Sequence, residues 1–113
     1  MIVDAHVHVW SDDTDRYPYD DGHEPKNEGG TELLRREMAT AGVDRAVIVQ
    51  PIYHGYDHRY VLETALDRYP DQFAGVALVD PFADDAPAQL REACTMMPDR
   101  IAVPLRRVLI LRR

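Results

Sequence analysis

A chain of 113 residues has room for one domain, and its 45% hydrophobic and 29% charged content is that of an ordinary globular protein. The net charge of −7 argues against a nucleic-acid-binding surface, no apolar run approaches the roughly 18 residues of a membrane span, and the first residues do not read as a signal peptide. Cys94, the single cysteine, excludes an internal disulfide and a Cys-based zinc site, so the chain reads as a cytoplasmic protein acting on a small molecule, with no nucleic-acid or membrane partner.

The first element is a strand over residues 2–8. Strand alternation places Asp4, His6 and His8 on one face and Val3, Ala5, Val7 and Val9 on the other. Residues 11–30 are rich in acids, Pro and Gly, a connection of about twenty residues and longer than ordinary loops, which marks it as functional or disordered. Thr31 is a good N-cap for a helix over 31–41, in which Leu34, Met38 and Ala41 recur at helical spacing before Gly42 stops it.

The pattern then repeats. Arg45 to Gln50 holds the continuous apolar run of a strand covered on both faces, giving a strand over 44–50 that Pro51 ends. Asp57 can cap a helix over 58–69 with Leu62, Leu66 and Tyr69 on one stripe. The next strand covers 73–79, with Asp80 and Pro81 as its exit. Asp84 or Asp85 can cap a third helix over 86–97, whose Leu90, Ala93, Cys94 and Met97 read as core, and residues 100–105 suit a fourth strand.

A strand–helix rhythm with a period of roughly 29 residues predicts right-handed βαβ units around a parallel sheet. Two architectures fit, a small doubly wound sheet or the opening part of a (β/α)8 barrel. A full barrel takes about 250 residues, so this chain holds the first three to three and a half βα units. No G-x-G-x-x-G follows the first strand, which weakens a dinucleotide site.

His6 and His8 stand at the C-terminal end of the first strand, where barrel chemistry gathers. Two imidazoles at i and i+2 on one pleat face can converge on one cation, with Asp4 one layer beneath. Trp10, Gln50, Tyr53, His54 and Asp80 fall at strand ends or in the following loops, where substrate contacts belong. His58 reads as a helix-start residue exposed to water, and His23 as part of a solvated acidic loop.

The stretch Asp4-Ala5-His6-Val7-His8-Val9-Trp10 resembles the opening strand of the amidohydrolase superfamily, particularly its amidohydrolase-related, lactonase-like group. Residues Ala41 to Val47 and Phe73 to Pro81 resemble that group's second and third strands, as does Gln50-Pro51 followed by Gly55-Tyr56-Asp57. The similarity covers roughly residues 1–98. It implies a partial (β/α)8 TIM barrel and a divalent metal, zinc foremost, with manganese or no metal as alternatives. The metal would activate water against a lactone, ester or amide, although some relatives decarboxylate instead.

Only His6 and His8 match the ligand pattern of that group. Its other ligands and its catalytic Asp belong to later strands, so catalytic residues are expected beyond residue 113. Residues 1–99 carry all 20 acids, whereas residues 100–113 hold five arginines and no acid. Such a tail suggests truncation, or a shifted reading frame after about Ala102. The isolated chain is then expected to be inactive and to self-associate through open sheet edges. The alternatives are a non-catalytic βα fragment acting by association with another chain, or a small flavodoxin-like binding domain.

Overall fold

The three apolar runs predicted as strands all pair. The computed structural model describes residues 1–96 of the chain. Strands β1 (Val3–Val7), β2 (Arg45–Val49) and β3 (Phe73–Val76) form one parallel sheet in the order β1-β2-β3. Helix α1 (Thr31–Ala41) joins the first two strands. Helix α2 (Arg59–Val61), which widens into a π-helical turn over Leu62–Leu66, joins the next two, and α3 (Ala86–Met96) follows β3.

Strand order decides between the two architectures. A flavodoxin-like sheet places its first strand between the second and third, because the direction of winding reverses there. Here each crossover advances one strand along the sheet without reversal, as in the wall of a (β/α)8 barrel. The flavodoxin-like alternative is therefore wrong for this chain.

The core lies between the sheet and its helices. Ala46, Ile48, Phe73 and Ala77 alternate onto one face and meet Met38 of α1, Tyr60, Val61, Ala65 and Leu66 of α2 and its π-helical turn, and Ala93 of α3. Val47, Ala74 and Val76 alternate onto the opposite, helix-free face and are only half-buried.

Several local expectations change. Thr31 does not cap α1; Gly30 holds the cap position and Thr31 is the first helical residue. The Thr31 backbone N–H instead donates to the Tyr60 hydroxyl at 3.1 Å, and its Oγ1 lies 2.8 Å from Thr64 Oγ1. Packing against α2 thus does the work that a side-chain cap does elsewhere. At the other end Gly42 stops the helix as predicted, with φ of 73° and its N–H on Met38 O.

The Asp57 carboxylate receives the backbone N–H of Arg59 at 3.1 Å, close to the predicted capping role. The helix after it is regular for three residues only, because Asp67 N–H reaches Leu62 O one residue further than an α-turn does. Cys94 is exposed rather than core, since Ala93 takes the sheet-facing position and its neighbour points about 100° away. Met97 and the predicted fourth strand lie outside the described residues.

Candidate metal-binding strand and its loops

Strand β1 does not run straight. Val3 and Asp4 stand in register with Arg45 and Ala46, but Val7 with Ile48, so β1 holds one extra residue between these points. Asp4 supports the irregularity with its own side chain, whose Oδ1 accepts the His6 backbone N–H at 3.1 Å. Beyond it, Val7 and Val9 turn into the core and leave His6 and His8 on the helix-free face. Asp4 is paired with core-facing Ala46, so it does not sit beneath the histidines as a regular strand required. The added residue moves it to the other side of the pleat.

The two histidines stay together. Their ring centroids are 5.0 Å apart with planes at 79°, and both residues are exposed. His8 Nδ1 lies 2.8 Å from the Val49 carbonyl oxygen. A carbonyl only accepts, so in the neutral ring the proton belongs on Nδ1 and the lone pair on Nε2. A backbone contact of this kind fixes the tautomer and aim of a metal-binding imidazole. Among the described residues no group of three or more His, Cys, Asp or Glu could hold a metal ion. The pair fits two places of a ligand set in which a catalytic zinc takes three.

Trp10 and Tyr53 form an aromatic pair after the strand ends, with centroids 4.9 Å apart in an edge-on arrangement. The Trp10 backbone N–H donates to Gly29 O and its indole N–H to Asn27 O, both at 2.8 Å. The far end of the long loop is thereby fastened to the start of it. Gly29 is required here, because a Cβ on it would lie 2.0 Å from Trp10 Cε2. Gly29→Ala is expected to displace the indole, to cost about 1–3 kcal/mol of stability, and to shift the emission of the only tryptophan to the red. An unchanged emission spectrum would count against this packing.

Gln50 is buried at the end of β2. Its Nε2 donates to the carbonyls of Gly55 and Asp57 at 3.1 and 2.8 Å, while its Oε1 has no partner among the described residues. Asp80 Oδ1 accepts the Phe82 backbone N–H at 3.0 Å in the turn after β3. His54 is buried too, and both ring nitrogens meet loop backbone, Nε2 at Ser11 N and Nδ1 at Pro18 O. The structure therefore brings His6 together with His8 at the end of β1, and Trp10 together with Tyr53 beyond it. Gln50 and His54 are held in hydrogen bonds to loop backbone, and Asp80 in its own turn.

His58 is buried, not exposed to water. Its Nε2 accepts the Leu78 backbone N–H at 3.0 Å, tying the start of α2 to the end of β3. Burial pushes the imidazole below its ordinary value of 6.5, against the raising effect of Asp57. Because the unfolded chain binds the proton more readily, the contribution of His58 is present above about pH 6.5 and is lost as the pH falls below it. The melting temperature is expected to drop between about pH 7 and pH 5. The drop should be smaller in His58→Gln, which keeps an acceptor without titrating; an equal drop in both proteins would refute the assignment.

Sequence reasoning also missed Tyr17, a core residue in the middle of the acidic loop. Its hydroxyl donates to Glu63, and its ring lies 5.1 Å from that of Tyr60. Two tyrosines among acids, Tyr17 and Tyr19, were the available signal that this loop packs rather than waves in solvent.

The sequence profile of a family described as amidohydrolase matches residues 3–96. The chain belongs to the amidohydrolase family.

No curated protein matches this amidohydrolase chain in sequence. Among solved structures it is similar to an Acinetobacter baumannii protein assigned as a 2-pyrone-4,6-dicarboxylic acid hydrolase and holding citric acid, at 20% identity and a TM-score of 0.68. A Pseudomonas putida protein assigned the same activity matches at 25% identity and 0.64, and an unliganded Agrobacterium tumefaciens protein at 21% and 0.65. These matches cover 88%, 84% and 89% of this chain but 35%, 33% and 35% of the others. The amidohydrolase chain thus spans about a third of the length of the structures it matches.

Proposed function

We propose that this chain supplies the metal-binding first strand of a hydrolase that cleaves a lactone, ester or amide of a small molecule through metal-activated water. The observation that carries the reading is the His6–His8 pair, held on the helix-free face at the C-terminal end of β1 with the His8 tautomer fixed by Val49. The two imidazoles would be two ligands of a divalent ion, zinc foremost. When bound, such an ion polarises a carbonyl and lowers the pKa of a water. Trp10 and Tyr53 would form an apolar wall beside it, with Gln50, His54 and Asp80 shaping the surrounding loops. The solved relatives assigned to a pyrone dicarboxylate support a cyclic ester bearing carboxylates as the substrate class.

Titration of the chain with zinc, followed by histidine NMR, tests this reading. One equivalent should perturb His6 and His8 before His23, His54 or His58. Perturbation of His23 with its acidic neighbours, and not of the pair, would defeat it.

A second reading is favoured by the exposed first strand. Ile2 and Val3 are 57% and 50% exposed, and the outer edge of β1 pairs with no strand among the described residues. Such an edge recruits another chain, so this chain would act through association, most simply with a second copy of itself. Sedimentation velocity should show species larger than 12.9 kDa at micromolar concentration. A single monomeric boundary would exclude this reading.

A further inference from the structure

The loop after β1 is fastened to the turn after β2 through one buried side chain. The turn Ile52–His54 follows Pro51, and His54 is 4% exposed. Its Nε2 lies 3.0 Å from the backbone N of Ser11 and its Nδ1 3.1 Å from the carbonyl O of Pro18. The ring is packed between Tyr19 and Tyr60, with centroids at 5.4 and 5.7 Å. Two further bonds run across the same junction. Asp20 N–H donates to Tyr53 O at 2.7 Å, and the Tyr19 hydroxyl donates to Ser11 O.

The chemistry of these partners admits one protonation state. An amide N–H only donates and a carbonyl only accepts, so His54 must present a lone pair at Nε2 and a proton at Nδ1. Adding a second proton places N–H against N–H at Ser11, and a bond becomes a repulsion inside a buried site. No other tautomer serves both partners. The residue next to Ser11 is Trp10, whose indole rests on Gly29 and meets the ring of Tyr53, itself next to His54 in the chain. Loss of the His54 clasp therefore loosens both halves of the aromatic pair.

We propose that His54 is a positioning residue that clasps the loop of residues 11–20, and through it the Trp10–Tyr53 wall, only while its imidazole is neutral. Acid then opens the loop without unfolding the sheet. Tyr19 of the loop and Tyr60 of α2 face the ring; the charged groups around it are Asp20, whose side chain lies against the neighbouring Gly55, and Asp57 before α2, whose carboxylate is held low chiefly by its hydrogen bonds to Arg59. The clasp is independent of metal at His6 and His8, so its failure and the failure of the hydrolase reading are separable.

Amide exchange of the whole chain at about pH 8 and about pH 5 tests the clasp, with ring nitrogen shifts of His54 recorded alongside. At the higher pH the ring should show the Nδ1–H tautomer and Ser11 should be protected. At the lower pH the Ser11 and Asp20 protection factors should fall by about tenfold or more relative to Ile48, whose amide reports the sheet. His54→Gln, which offers both a donor and an acceptor and does not titrate, should keep Ser11 protected at both values. His54→Phe fills the same space with neither bond and should leave Ser11 unprotected at both. The proposal is overturned if Ser11 stays protected while His54 titrates, if His54 gains its proton only when Ile48 also exchanges, or if His54→Gln responds to acid as the native chain does.

Discussion

His8→Ala should lower zinc affinity by about 100-fold, close to 2.7 kcal/mol of binding free energy. The pair His6–His8 offers two nitrogen donors on one face, and among the described residues nothing forms a larger cluster that could compensate. Changes to residues that only orient a ligand already cost about 10–100-fold, so removal of the ligand itself belongs at or beyond the upper end. His23→Ala is the matched control, because His23 is exposed in the loop beside Asp20 and away from the strand. Calorimetric titration of the three proteins decides the matter. Equal affinity in native and His8→Ala chains would remove β1 from any metal site.

Ile48→Ala should cost about 2–5 kcal/mol, a large part of the 5–15 kcal/mol on which a domain ordinarily stands. Ile48 is fully buried in the central strand and packs among the helix-facing residues of the core. Val47, its neighbour in sequence, points to the helix-free face and is only half-buried. Val47→Ala should therefore cost about 1 kcal/mol or less. Urea denaturation of the two variants measures both values. Equal losses would mean that the helix-free face is covered as thoroughly as the core.

Much of the fold was legible because its signals are local. The runs around Val3, Val47 and Phe73 became strands, Gly42 stopped α1 through its positive φ, and the strand–helix rhythm announced parallel pairing. Strand order was legible through the resemblance to the amidohydrolase barrel and not from composition or spacing, since both candidate architectures share the same element sequence. It depends on the sense in which each crossover winds, and the order β1-β2-β3 resolved it. The helix-start positions were read less well. A hydroxyl at Thr31 has the right chemistry for a cap, but the Tyr60 hydroxyl, 29 residues away in sequence, reached the same backbone donor.

The site divides in the same manner. His6 and His8 could be placed on one face from the sequence, because alternation along a strand is a property of the backbone itself. Which side Asp4 occupies could not, because one extra residue in β1 is visible only against the register of β2. The fates of His54 and His58 were decided further still from the chain's local pattern. A histidine after a proline or beside an aspartate carries no mark of burial, and each became a backbone-binding residue only when a distant amide, Ser11 N or Leu78 N, arrived within 3.0 Å of its ring. The sequence by itself determined the strands, their parallel habit and the shared face of the two histidines, because these follow from periodicity within a few residues. The tertiary structure alone decided the irregularity at Asp4 and the hydrogen bonds of His54, because each is a contact between segments that only the folded chain brings together.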